Sequence, residues 1–239
     1  MDNEVRINKY LSAAGFCSRR EADRLIEAKR VKIDGVVATQ GAKVMENQCV
    51  TVDDKEIVNE SKPVLIALNK PVGIVCTTTD KQGKNNIVDF IDYPVRIYPI
   101  GRLDKDSRGL ILLTNQGELS DKILRSVNGH ENEYEVTVNK KVTDEFIKKM
   151  SGGVYLKELD RTTNKCLVER IGFKKFRIIL KQGLNRQIRR MCEECGYEVT
   201  DLLRVRIMNI TLDGIKEGEY RDLTDMEYSK LLEELGSGR

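Results

Sequence analysis

Apolar positions recur along this chain at two spacings, and the spacing switches at clear breaks. Near the N-terminus Ile7, Tyr10, Leu11 and Ala14 repeat at helical spacing, and Gly15 ends that helix. Ser18-Arg19-Arg20-Glu21 follows with the composition of a capping box, Ser18 as N-cap and Glu21 reaching back. The helix it opens is expected to bury Ala22, Leu25 and Ile26 and to show Arg19, Arg20, Arg24 and Lys29. The pattern then changes to alternation across Val31–Ala38, where Asp34-Gly35 predicts a tight hairpin. A further β segment around Cys49–Val52 closes a unit of two short helices and a small sheet, assigned to residues 1–60. So small a unit has too little core to do more than present a surface, and the surface on offer is basic.

Val58–Pro63 is polar and ends in proline, so it is read as a linker. A second domain, residues 64–235, opens with a buried-type strand at Val64–Leu68 that breaks at Lys70-Pro71-Val72-Gly73. Further strands are predicted at Ile97–Ile100, Leu110–Thr114, Tyr134–Val138, Lys165–Glu169, Phe176–Lys181 and Leu203–Leu212. Helices are predicted at Glu118–Leu124, Asp144–Met150, Arg186–Cys195 and Asp225–Leu235, with a disordered tail from Gly236 to Arg239. Strands and helices do not alternate regularly. The fold class is therefore α+β with a mixed, largely antiparallel sheet, not a doubly wound fold.

Composition narrows the class. With 239 residues, 40% apolar and 33% charged, a packed globular chain is expected. No apolar run approaches membrane-spanning length, and the acidic, polar N-terminus lacks a signal core, so a cytoplasmic protein is expected. The six scattered cysteines fit reduced thiols. Cys192-Glu193-Glu194-Cys195 has ligand spacing, but a zinc site needs a second pair and the single histidine is His130, so no metal is expected. The net charge of +3 says little, but Arg170–Arg190 holds eight bases and no acid, a density suited to a phosphate backbone or to one solvated face.

No phosphate-gripping glycine loop occurs, and serine–histidine hydrolysis would rest on His130 in a polar loop. Carboxylate chemistry remains, and Asp104 is its best candidate. It lies in Gly101-Arg102-Leu103-Asp104-Lys105-Asp106-Ser107-Arg108-Gly109, a loop between predicted strands. Neighbouring cations would keep it ionised, as a nucleophile or general base requires. The plain alternative is a loop aspartate making turn and ion-pair contacts. A metal-dependent nuclease using Asp104 and Asp106 is a third reading, opposed by the surrounding cations.

The run from Gly101 to Leu110, continuing through Leu112-Leu113-Thr114-Asn115, strongly resembles the catalytic motif of the pseudouridine synthases, in the branch that modifies bacterial ribosomal RNA. Asn69–Gly73, Glu133–Val136 and Gln182–Met191 resemble three more of that family's motifs, in order. Ser18–Gly35 resembles an RNA-binding domain of the S-four type. Asn185–Glu193 and Arg206–Asn209 are most similar to large-subunit members of the branch. The resemblance spans about residues 4–232. It implies isomerisation of uridine in RNA, most simply in a 23S ribosomal RNA stem-loop and with a transfer RNA as a further candidate, by a monomer without cofactor.

An enzyme that acts on a base must flip it out of the stack. By the resemblance Asp104 is the essential carboxylate, whether it attacks ribose, adds to the ring or removes a ribose proton. Tyr134 would stack on the extruded uracil. Arg189 would be the direct partner of Asp104, holding it ionised. Arg102 and Lys105 would contact phosphates or fill the gap left by the base. Leu103, Leu184, Asn185, Arg186 and Gln187 complete the substrate-binding set, the last three at a phosphate-binding helix start. Leu203 could pack on the base or be plain core. Lys70 and Pro71 would shape the strand-to-loop geometry. A non-catalytic RNA-binding factor is the competing reading.

Overall fold

The computed structural model describes residues 4–58, 62–78, 85–124 and 129–236. The middle of the expected linker (59–61) and residues 237–239 of the expected tail lie outside them. The chain divides into two compact units, one of residues 1–64, 93–97 and 115–117, the other of residues 65–92, 98–114 and 118–239.

In the first unit β1 (Val5–Arg6) leads directly into α1 (Ile7–Ala13), and α2 (Arg19–Glu27) follows. Strands β2 (Val31–Ile33), β3 (Val36–Val37), β4 (Lys43–Val44), β5 (Val50–Val52) and β6 (Lys55–Glu56) complete it. One sheet runs β3-β2-β5-β6, and β1 pairs with β4. Ile7, Leu11, Ala22, Leu25 and Ile26 lie in its core, as the helical spacing predicted, together with Val31 of β2. Asp34 and Gly35 both take positive φ, 49° and 79°, as a two-residue hairpin turn demands. The β5–β6 hairpin has no glycine and escaped the sequence pattern. Asp53 and Asp54 make its turn at φ 51° and 62°, a region aspartate tolerates, and Arg30 pairs with Asp53.

The capping box at Ser18 is only half formed. Ser18 Oγ accepts the Glu21 N–H at 3.1 Å, but the Glu21 carboxylate accepts from Arg24 instead. A charged donor one turn on outcompetes a backbone amide.

The second unit is a nine-stranded sheet. Its strands are β7 (Leu65–Lys70), β8 (Tyr98–Ile100), β9 (Arg108–Thr114), β10 (Asn132–Val138), β13 (Leu167–Arg170), β14 (Lys175–Leu180), β15 (Val199–Ile207), β16 (Ile210–Thr211) and β17 (Tyr220–Asp222), with a separate small pair, β11 (Tyr155–Leu156) and β12 (Arg161–Thr162). The order is β13-β14-β10-β15-β9-β7-β17, with β8 beside β9 and β16 beside β15. The β15–β9 contact is parallel and the other ladders are antiparallel, so the sheet is mixed and largely antiparallel as expected.

Helices cover both faces. α5 (Asp144–Gly152) and α6 (Gln187–Glu194) bury Phe146, Met150, Ile188 and Met191 with Val136, Phe176 and Ile178. α4 (Gly117–Leu124) and α7 (Asp225–Gly236) bury Leu119, Ile123 and Leu231 with Ala67, Leu110 and Leu112. Every residue of β7 is buried, which is why it reads as an apolar run without alternation.

In the second unit the structure departs from the sequence pattern at several points. The strand expected at Leu203–Leu212 is a hairpin: β15 starts at Val199, and a turn with Met208 at φ 51° returns the chain as β16. Gly236 closes α7 and does not begin a tail. α3 (Ile87–Ile91) is short and owes its start to Asn86, whose side chain accepts from Val88 and Asp89 N–H. β17 completes the edge beside β7.

At the start of α7 the capping box is complete. Glu227 N–H donates to Thr224 Oγ1 at 3.2 Å, and Thr224 N–H donates back to the carboxylate at 2.9 Å. Arg221 adds two donors at 2.8 Å. Arg221's hydrogen bonds, chiefly, hold the Glu227 pKa down to about 2 from 4.5. Because the folded pKa lies below the unfolded one, this stabilisation is complete above about 4.5 and fades as pH falls toward 2. Glu227→Gln is expected to cost about 1 kcal/mol at pH 7. Urea denaturation at pH 7 and pH 3 should show the gap to wild type narrowing at the lower pH.

Candidate active site

The loop from Gly101 to Ser107 joins β8 to β9, whose residues 109–114 are buried. Gly101 takes φ 76° at its start. At the turn the Ser107 N–H donates to the Asp104 carbonyl at 3.1 Å. Two backbone contacts tie the loop down. Gly73 N–H donates to the Lys105 carbonyl at 2.8 Å, and Leu103 N–H donates to Cys76 Sγ at 3.4 Å. The segment supplying Gly73 is itself held by Lys70, whose fully buried ammonium donates to the Pro71 and Ile74 carbonyls at 2.8 and 2.9 Å. The Asn69–Gly73 stretch therefore braces the loop without reaching its carboxylates.

Asp104 stands at the rim, its side chain 37% exposed, with Arg186 Nη1 3.4 Å from its carboxylate. Arg186 also donates to both oxygens of Asp106 at 3.2 and 3.1 Å. Arg189 is buried beneath. It donates to the Asp106 carbonyl at 2.8 Å, to Ser107 Oγ at 3.2 Å and to the Val199 carbonyl at 3.2 Å. Its Nε lies 3.4 Å from the Asp106 carboxylate. Burial pushes the Asp106 pKa up, but Arg186's hydrogen bonds and the charges of Arg189 and Arg186 outweigh it and leave Asp106 lowered.

The partner expected for Asp104, Arg189, thus grips the next carboxylate and the loop backbone. The reason is where α6 begins. Gln187 is its first residue, and Arg186 is the N-cap at φ 49°. Arg189 sits in the first turn, buried and in need of several acceptors, whereas Arg186 reaches both carboxylates from the surface. The expected helix start at Arg186 shifts accordingly. Asn185 is an exposed loop residue whose carbonyl accepts from Arg190, and Gln187 is buried with its side-chain oxygen on the Leu184 N–H at 3.0 Å. Gln187 shapes its own loop and faces no solvent. Leu184 packs on the core and Leu103 is buried, while Arg102 and Lys105 are exposed beside Asp104. Arg19, Arg20 and Arg24 are exposed along α2 of the first unit, while Lys29, expected on that helix, is exposed in the turn after its end at Glu27, at φ 58°.

A row of paired residues crosses the sheet next to this loop. Lys70 pairs with Gly109, Gly109 with Arg204, Arg204 with Tyr134, and Tyr134 with Ile178. Paired residues share a face, so Lys70, Arg204 and Tyr134 lie on one side with the bare Gly109 between the two cations. A Cβ on Gly109 would stand 2.4 Å from the Arg204 carbonyl oxygen, so only glycine admits β15 here. Arg204 is buried and donates to the Leu110 carbonyl at 2.7 Å. Burial, chiefly, lowers the Lys70 pKa, while the Cys76 thiol and the carboxylates of Asp106 and Asp104 pull it back up. Burial likewise raises the Cys76 pKa.

Arg108 fixes the far end of the loop to β15 through two hydrogen bonds to Asp201, 2.8 and 2.7 Å. Arg204, Asp201 and Cys76 carry no sign of this role in the sequence. They sit in ordinary strand or loop patterns, and only the long-range pairing brings them to the site.

Residues 64–194 match the model of the RNA pseudouridylate synthase family, and residues 5–50 match the S4 domain. The chain belongs to the RNA pseudouridylate synthase family. It is 57% identical over 228 residues to a dual-specificity RNA pseudouridine synthase RluF of Escherichia coli O6:H1, covering 95% of this chain and 78% of that one. It is 35% identical to the ribosomal large subunit pseudouridine synthase B of Bacillus subtilis, covering 95% of both. A crystal structure of a pseudouridylate synthase superposes with a TM-score of 0.70 at 29% identity, over 95% of this chain and 99% of that one. This synthase thus pairs an S4 domain with a pseudouridine synthase domain and isomerises uridine in RNA.

Proposed function

We propose that the synthase converts a uridine of 23S ribosomal RNA to pseudouridine, with Asp104 as the reacting carboxylate. The relative named for the ribosomal large subunit supports that RNA class. The observation that carries Asp104 is its setting. Of the two carboxylates on a loop braced from both sides, Asp106 is tied to Arg186 and Arg189, whereas Asp104 meets a single arginine atom at 3.4 Å and is left to meet a substrate. The reaction breaks the N1–C1′ bond, turns the uracil and joins C5 to C1′. The C5 proton leaves and N1 gains one, so no oxidant or co-substrate enters.

In this reading Tyr134 stacks on the extruded base. Arg186 orients Asp104, and Arg189 fixes the Asp106 carbonyl and the Ser107 hydroxyl beneath it. Arg102 and Lys105 meet phosphates around the flipped nucleotide, and Leu103 and Leu184 supply apolar edges. Arg19, Arg20, Arg24 and Lys29 grip a structured stem, and tethering raises the effective concentration of the second contact. The dual-specificity naming of relatives favours a second RNA, for which we take a transfer RNA. The enzyme works in the cytoplasm, a compartment that suits its free thiols.

The test is target mapping. Purified synthase is incubated with 23S, 16S and transfer RNA transcripts, and pseudouridines are read as reverse-transcription stops after carbodiimide labelling. A new stop in 23S RNA is expected. Stops in 16S RNA alone would overturn the large-subunit assignment.

A further inference from the structure

The hairpin between β13 and β14 carries an exposed aromatic ring that the chemistry at Asp104 does not use. Phe173 stands at its tip, 67% exposed, the most exposed aromatic among the described residues. A single exposed ring is ordinary, but this one lines a pocket together with cations. The tip is rigid. Val142 N–H donates to the Phe173 carbonyl at 2.9 Å, and Ile171 and Gly172 N–H both donate to the Lys175 carbonyl at 3.0 Å. Phe173, Gly172, Val142, Lys141 and Arg170 together line a surface pocket of about 350 Å³. The lining combines apolar Phe173 and Val142 with the cations Lys141 and Arg170. The Lys141 ammonium stands 5.9 Å from the ring centroid, and Lys140 and Lys174 are exposed nearby in the chain. Arg170 Nη1 meets the Val142 carbonyl at 3.4 Å and Asp144 at 3.2 Å, but that carboxylate is 92% exposed, so the pair is open to exchange.

We infer that this pocket is a second RNA-binding site, which holds one unpaired nucleotide of the substrate. The base stacks on Phe173 and Lys141 and Arg170 meet its phosphates. The inference rests on the RNA reading above and deepens it. A ring flanked by cations matches a base followed by its phosphate, whereas a protein partner of ordinary composition would have to cover the Lys141 ammonium and an Arg170 whose carboxylate partner, Asp144, is solvent-exposed. The place in the fold fits. The strand that carries Tyr134 ends at this hairpin, where Val138 N–H donates to the Lys174 carbonyl at 2.9 Å. Four residues of strand separate Tyr134 from Val138, about 13 Å at about 3.3 Å per residue. Phe173 lies past this point at the hairpin tip, so the nucleotide laid on it is one several positions from the uridine flipped against Tyr134 and not its immediate neighbour.

The experiment compares the full chain with Phe173→Ala and Phe173→Tyr. Affinity for a short fluorescein-labelled oligouridylate is read by anisotropy, and KM and kcat are read on 23S RNA. Phe173→Ala is expected to weaken oligouridylate binding and raise KM about fivefold, the low end of a base–aromatic stack, with kcat and melting temperature unchanged. Phe173→Tyr should behave as wild type. Equal binding by Phe173→Ala and wild type would overturn the site and leave the surface to a protein partner. Failure of the functional reading looks different, because wild type itself would then form no pseudouridine.

Discussion

Asp104→Asn is expected to fold, to bind RNA as tightly as wild type, and to lose pseudouridine formation by at least about 10³-fold. The substitution keeps the size of the side chain and removes its charge and basicity. Arg186 still has Asp106 for both of its donors, at 3.2 and 3.1 Å, so the loop keeps its main ionic anchor. Its backbone anchors are untouched, because Gly73 binds the Lys105 carbonyl and Leu103 binds the Cys76 sulfur. What disappears is the loop carboxylate that Arg186 and Arg189 do not tie down, the one proposed to meet the substrate. Thermal melting, filter binding of 23S RNA and single-turnover rates check the three parts. A variant within tenfold of the wild-type rate would remove Asp104 from the chemistry.

Gly109→Ala is expected to cost at least about 3 kcal/mol and to deprive the enzyme of activity. Two independent strains coincide there. The backbone sits at φ 106°, where side chains are rarely accommodated, and the new Cβ would meet the Arg204 carbonyl oxygen at 2.4 Å and its nitrogen at 2.8 Å. These are backbone atoms of a neighbouring strand and cannot swing aside. The parallel β9–β15 ladder consists of Leu203 with Arg108 and Arg204 with Gly109, so relief at this point opens the sheet beside the Asp104 loop. Urea denaturation should show the loss. A midpoint equal to wild type would mean that the strands approach less closely than described.

Much of the fold is legible in the chain because local signals and tertiary demands agree. The Ser18 cap, the Asp34-Gly35 turn and the apolar run of β9 each appear in the sequence as the structure uses them. What escaped has a physical cause. Asp53-Asp54 and Met208 make tight turns without the glycine that marks such turns, so β6 and β16 were invisible. The Asp104 loop was legible because its residues are contiguous. The cation partners were less so. Position in the chain makes Arg186 and Arg189 equivalent members of one basic run, and only the helix start at Gln187 assigns one to the surface and the other, buried, to the Asp106 carbonyl and the Ser107 hydroxyl. Arg204 and Lys70 meet over Gly109 through pairing between residues far apart in sequence, which no local pattern encodes.

The central claim is that this chain, through Asp104, breaks the N1–C1′ bond of a uridine and joins C5 to C1′, so that the C5 hydrogen is released to water and N1 gains a proton. Release of tritium from 23S RNA labelled at uridine C5 reads that step directly. Wild type is expected to release tritium in proportion to the pseudouridine formed, and Asp104→Asn to release none above background. Tight RNA binding by wild type without tritium release, or release at the wild-type rate by Asp104→Asn, would contradict the account.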